Sequence, residues 1–172
     1  LGKSFALFLE PPLATDCDAL LGSIAKSRSN AKLRTGGVVP SAIPHASLVL
    51  RFIDTCANLN LPFKATAGLH HAIRGHYPLT YEHDAPRGVM FGYLNVFLAA
   101  AFRRAGLAQP YLLELLQEGD ASSMTFDDAG VTWRGNVADA QCLAETRKSL
   151  AVSFGSCSFT EPVDEARQLH LI

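Results

Sequence analysis

Two stretches decide the fold: Ala31-Lys-Leu-Arg-Thr35, closed by Gly36-Gly37, and Leu61-Pro-Phe-Lys-Ala-Thr-Ala67, closed by Gly68. Both are short and end at glycine, which predicts two strands. Residues 44–60 lie between them, where Leu48, Leu50, Phe52, Ile53 and Cys56 supply a helical stripe. Upstream, the run Phe5-Ala-Leu-Phe-Leu9 is stopped by Glu10-Pro-Pro12 and predicts a buried strand, followed by a helix over residues 16–26. Strand, helix, strand, helix, strand at a spacing of roughly 30 residues marks βαβ units and a parallel sheet.

Downstream, residues 70–86 read as a long loop rich in His, Pro, Tyr and Asp, and such loops are often functional. Helices are expected over residues 88–105 and 110–118. The stretch from Met124 to Arg134 alternates about Asp127 and Gly130 and predicts a small β-hairpin. A helix over residues 139–149, a strand over 150–154 and a terminal helix near Glu161-Pro162 complete the pattern. No repeat or low-complexity linker divides the chain, so the expectation is one α/β domain over residues 1–172, or part of one.

At 172 residues the chain is long enough to bury a core without disulfides. Hydrophobic residues make up 48% and charged residues 18%, which excludes disorder as the default. The formal net charge of −1 and the dispersed Lys and Arg residues argue against nucleic acid or an anionic membrane as partner. Cys17, Cys56, Cys142 and Cys157 form no CxxC pair, so free thiols in a reducing, cytoplasmic setting are expected. No apolar stretch reaches the roughly 18–20 residues of a membrane span. The chain starts at Leu1 and runs quickly into apolar residues, which suggests processing or a piece of a longer protein.

In parallel α/β folds, ligands bind at the carboxyl ends of the strands. Three such ends carry polar residues here: Glu10, the Lys32/Arg34/Thr35 group, and Lys64 with Thr66. Side chains two apart on a strand share a face, so Lys32 pairs with Arg34, Lys64 with Thr66, and Phe8 with Glu10. Strands of a parallel sheet normally read as continuous apolar runs, and these cations break that rule. Buried cations need partners, and Glu10 is the local candidate. Neighbouring cations favour the neutral amine of a strand lysine, the form that attacks a carbonyl. The same Lys64 could instead hold a carboxylate or phosphate.

Thr35-Gly36-Gly37 can offer backbone N–H groups to an anion, whereas Gly155-Ser-Cys-Ser158 reads better as a turn with capping by Ser158 or Thr160. His70 and His71 follow the third strand, with His76 and His83 beyond. Adjacent histidines in extended chain point apart, and no HxH or HExxH pattern supports zinc. His70 is the candidate acid or base, and His71 a substrate contact. Asn95, inside an apolar helix, is expected either to face the strand ends or to cap a buried backbone group. Cys157 has no paired histidine motif to make it a nucleophile, and Trp133 reads as a packing anchor.

The strings Lys32-Leu-Arg-Thr-Gly-Gly37, Pro62-Phe-Lys-Ala-Thr-Ala-Gly-Leu-His-His71, Gly92-Tyr-Leu-Asn-Val-Phe97 and Ser153-Phe-Gly-Ser-Cys-Ser-Phe159 resemble an uncharacterised bacterial protein family. Its members are longer, with an additional N-terminal half. The resemblance implies the C-terminal, incomplete part of a TIM-barrel-like protein, and implies no catalytic residue. Lys64-Ala-Thr-Ala-Gly68 is also similar to the strand lysine run of class I aldolases of the deoxyribose-phosphate type, from which the following histidine pair departs.

Three functions are expected in order. The first is an aldolase- or lyase-like enzyme for a small anionic carbonyl compound, with no cofactor required by the sequence. Lys64, Glu10 and His70 would be catalytic, and Lys32, Arg34, Thr35, Gly36, Thr66, His71 and Asn95 would bind substrate. The second is a metal-dependent hydrolase or lyase using His70 or His71 with Glu10. The third is a non-catalytic binding or structural domain. A homodimer could cover an open sheet edge.

Overall fold

Alternation along the two deciding strands sorts their side chains by burial. Ala31, Leu33, Phe63 and Ala65 are fully buried, whereas Lys32, Lys64 and Thr66 are half-buried and Arg34 is exposed. The computed structural model describes residues 5–13, 17–156, 158 and 160–172. The expected helix start at Asp16 and the thiol of Cys157 lie outside these residues.

The chain begins with β1 (Phe8–Leu9), α1 (Asp18–Lys26), β2 (Asn30–Arg34), α2 (Ala46–Asn58) and β3 (Phe63–Thr66). An antiparallel pair follows, β4 (Gly75–Pro78) with β5 (Arg87–Met90), then α3 (Tyr93–Arg104) and α4 (Gln109–Gln117). A meander of β6 (Met124–Asp127), β7 (Gly130–Trp133) and β8 (Asn136–Asp139) leads into α5 (Ala140–Ser149), β9 (Ala151–Phe154) and α6 (Glu161–Gln168).

The main sheet is parallel, in the order β1-β2-β3-β9. Apart from the five antiparallel strands and three helices between β3 and β9, neighbours in the sheet are neighbours in the chain. The fold is therefore α/β with a parallel four-stranded sheet. Among the described residues β1 and β9 are open edges and the sheet does not close into a barrel.

One face of this sheet is packed. Ala31, Leu33, Phe63, Ala65 and Ala151 join a continuous apolar cluster with Leu21 of α1, the Val49–Phe52–Ile53–Cys56 stripe of α2, and Ala99 and Phe102 of α3. Phe52 meets Phe63 edge-to-face at 5.5 Å, and each such ring contributes about 2 kcal/mol by burial alone. Trp133 is wholly buried against Phe102, a packing anchor as expected. Cys17 and Cys56 are buried and Cys142 is half-buried. No helix among the described residues is long and apolar enough to cross a membrane.

Five expectations need correction, Asn95 among them. The strand expected to be buried over Phe5–Leu9 is only Phe8–Leu9, and Phe5, Leu7 and Leu9 are exposed. Residues 70–86 are not one loop, because β4 lies within them and pairs with β5. The helix expected from residue 88 starts only at Tyr93, because residues 87–90 belong to β5. The expected hairpin gains a third strand, β8, after the turn at Gly135, whose φ of 79° suits glycine.

Asn95 is the most consequential correction. It is not a substrate contact at the parallel strand ends: it is wholly buried on α3 and satisfies buried backbone groups, the second of its two expected roles. Its side-chain oxygen accepts from the N–H groups of Arg74 (2.7 Å) and Gly92 (3.2 Å), and its nitrogen donates to the carbonyls of Leu115 (2.8 Å) and Glu118 (2.9 Å). No donor or acceptor is left for a ligand. The residue ties the start of α3 to the end of α4 and to the segment before β4. Asn95→Leu is expected to cost about 4 kcal/mol, since four buried backbone groups lose their partner. Urea unfolding checks this, and a loss below about 1 kcal/mol contradicts the assignment.

Candidate functional site

The face of the main sheet opposite the apolar cluster carries the polar residues. The register places Lys32 opposite Lys64 and Arg34 opposite Thr66. Glu10, just beyond β1, reaches both cations of β2: its Oε2 lies 2.8 Å from Lys32 Nζ, and its Oε1 2.7 Å from Arg34 Nε. Burial pushes the Glu10 carboxyl up, but the hydrogen bonds from Lys32 and Arg34 and their charges outweigh it and hold it below its ordinary value. Glu10 is thus an ionised counter-charge with both oxygens engaged. It is poorly placed to donate a proton.

Lys64 differs. Its Nζ sits 4.7 Å from the centroid of the Phe8 ring, and among the described residues it has no carboxylate partner. A cation over an aromatic face is stabilised by about 1 kcal/mol. The terminal nitrogens of Arg34 are likewise unengaged among the described residues, with its side chain half exposed. Among the described residues, three cations therefore share this face with the carboxylate of Glu10, an excess of two positive charges.

Thr35 and Gly36 build the rim instead of lining it. Thr35 is buried, and its hydroxyl donates to the carbonyl of Ala67 at 2.5 Å, with that of Thr66 at 3.2 Å. Gly36 packs on Gly68, so closely that a Cβ at Gly36 would lie 3.3 Å from the Gly68 Cα. Ala67 and Gly68 are both left-handed, with φ of 64° and 83°. For Ala67 that conformation costs about 1 kcal/mol. Such strain gathers where a chain must turn sharply at a working edge.

From Thr66 the rim continues to β9. Gly155 N–H donates to Ala65, and a Cβ at Gly155 would come within 3.8 Å of the Thr66 methyl. The Ser156 hydroxyl is 3.3 Å from His70 Nδ1. Ser158, proposed as a cap, does accept from Glu161 N–H at 3.1 Å. Burial lowers the His70 pKa below its ordinary 6.5; Glu161 opposes this and His71 adds to it. His70 is therefore neutral at neutral pH, in the form that accepts a proton.

His71 points elsewhere, as the adjacency argument requires. Its Nδ1 lies 3.1 Å from Glu165 Oε1 on α6, and its ring stacks on Tyr77 at 3.4 Å. Burial, the Glu165 charge and a hydrogen bond to Glu165 push the Tyr77 hydroxyl up to about 12.

Two cavities flank the rim. One, of about 390 Å³, lies beside Glu10 and Arg34, with Pro11, Pro12, Pro44 and His45 among its walls. The other, of about 360 Å³, is lined by His70, His71, Val38, Leu79, Tyr81 and Glu161. Lys64 lines neither. The structure thus gathers Glu10, Lys32, Arg34, Lys64 and Thr66 on one face, sets His70 along the same rim, and leaves Asn95 in the core. Glu161, Glu165, Tyr77 and Tyr81 escape sequence reasoning, since His71 and Glu165 are 94 residues apart and no local pattern joins them. Among the described residues no group of three or more His, Cys, Asp and Glu side chains is arranged to hold a metal ion. Comparison of the chain with family models, curated proteins and solved structures found no match.

Protonating His70 costs folding energy, which fixes the sign of one pH effect. Its folded pKa is depressed, so as pH falls below 6.5 the unfolded chain takes up a proton that the folded chain resists. Stability is expected to fall as pH drops from 7 to 5, and the slope to flatten in His70→Asn. Urea midpoints across that range check it; an unchanged slope in the variant would remove His70 as the source.

Proposed function

We propose that this chain is an aldolase- or lyase-like enzyme whose sheet face binds a small anionic, carbonyl-bearing metabolite. The observation that carries this reading is the excess of positive charge on that face, where Lys64 stands opposite Lys32 and, among the described residues, lacks a carboxylate. The free nitrogens of Arg34, with Lys32, would hold a carboxylate or phosphate through charge-assisted hydrogen bonds. Lys64 would polarise or attack the carbonyl. Neutral His70, further along the rim, would take up a proton. Of the two roles its sequence suggested, counter-charge and catalytic group, Glu10 takes the first: it orients Lys32 and Arg34 and offsets their repulsion. The sequential parallel strands, with one face packed by helices and the other polar, also suit part of a TIM-like barrel whose interior face is this one, and both open edges suit cover by a second copy.

A metal-dependent mechanism pairing Glu10 with His70 or His71 has less support, because Glu10 is engaged by Lys32 and Arg34 and His71 by Glu165.

Borohydride trapping with candidate oxo acids and sugar phosphates tests the covalent step. A reduced adduct is expected on Lys64 by peptide mass mapping and should vanish in Lys64→Met; no adduct on Lys64 eliminates the covalent route. Arg34→Met should weaken binding of inorganic phosphate by about 2 kcal/mol, roughly thirtyfold in Kd, by calorimetry. Lys64→Met should also raise the thermal midpoint, because it removes a like charge opposite Lys32. A fall in that midpoint supports a purely structural Lys64.

A further inference from the structure

The second cavity has an organisation of its own. The Glu165 carboxylate is held at both oxygens, one facing His71 Nδ1 and the other accepting the N–H of Ala72. The Tyr77 ring, parallel to the imidazole within 9°, fixes its plane. A carboxylate only accepts, so the neutral imidazole carries its proton on Nδ1 and leaves a lone pair on Nε2. Among the described residues that Nε2 makes no hydrogen bond, and His71 lines the cavity.

The charge of the cavity differs from that of the sheet face. Glu161 stands on its wall, with one oxygen 2.8 Å from the Tyr81 hydroxyl, and Glu165 lies behind His71. A ligand that arrives as an anion is disfavoured there, whereas one that delivers its own proton brings the offsetting positive charge with it. Val38, Pro78 and Leu79 supply apolar walls. The occupant that suits these walls is a small neutral molecule with an apolar body and one acidic hydroxyl.

We propose that His71 is the proton-accepting group of this cavity, acting on a phenolic or enolic hydroxyl, with Glu165 as its positioning residue. The O–H bond breaks, its proton passes to Nε2, and the electron pair stays on the ligand oxygen. The resulting imidazolium keeps Nδ1–H directed at Glu165, which stabilises the new charge. The proposal goes beyond the anion-binding reading and needs nothing from Lys64.

Nitrogen-15 spectroscopy of the full chain above pH 8, with phenol as probe, tests it. The Nδ1–H tautomer is expected at His71, changing to Nε2–H in Glu165→Ala and persisting in Glu165→Gln, whose amide oxygen still accepts. Phenol should move the His71 Nε2 resonance and slow carbethoxylation of His71 by diethyl pyrocarbonate several-fold, while exposed His83 stays unaffected. The same results are expected in Lys64→Met, so failure of the sheet-face reading leaves them unchanged. An Nε2–H tautomer in the unsubstituted chain overturns the proposal, as does a His71 resonance and reaction rate indifferent to phenol. Should Glu165→Ala fail to fold, the unsubstituted chain and Glu165→Gln decide alone.

Discussion

The pairing of β2 with β3 is the constraint on which the rest depends. Its register sets Lys32 against Lys64 and, on the opposite face, Ala31 against Phe63 and Leu33 against Ala65. A slip of β2 by one residue would send Lys32 into the apolar cluster and Leu33 out of it. Burying an unpaired ammonium costs several kcal/mol, so the apolar side of the strands locks the register that the charged side would resist. Repulsion between the facing lysines is tolerated because Glu10 neutralises one of them and Phe8 shields the other.

That register also explains how the rim is built. With Arg34 opposite Thr66, the two chains leave the sheet together and must turn within a few residues. Thr35 bonds across to the β3 side, Gly36 packs on Gly68, and Ala67 accepts a left-handed backbone. These contacts aim Leu69 into the core and the two histidines to different neighbours, His70 to Ser156 and His71 to Glu165. One cationic face and one carboxylate-walled cavity result, and their opposite charge suits them to different ligands.

Far from the rim, buried polar groups hold the helices. Asn95 serves four backbone groups, and buried Asp54 of α2 accepts from Arg103 of α3 and Gln109 of α4. Glu118, at the end of α4, accepts from Trp133 and Arg134. Burial raises its carboxyl, but the Asp120 N–H, Trp133 and Arg134 outweigh this and keep it low. Each of these polar side chains joins elements distant in sequence, so none could be separated beforehand from residues of a binding site.

Sequence alone determined the parallel α/β character, the strand carrying Lys64, the shared face of Lys32 with Arg34, and Glu10 as their counter-charge. All of these follow from glycine stops, strand alternation and local charge, which act over a few residues. Tertiary structure decided the rest. Asn95 looked like a site residue and is a core tie, because a polar residue in an apolar helix reads the same whether it meets ligand or backbone. The strand β4 was hidden in a stretch rich in turn-forming residues, because only pairing with β5 extends it. The His71–Glu165 contact joins residues 94 apart, and only the packing of α6 beside the rim brings them together.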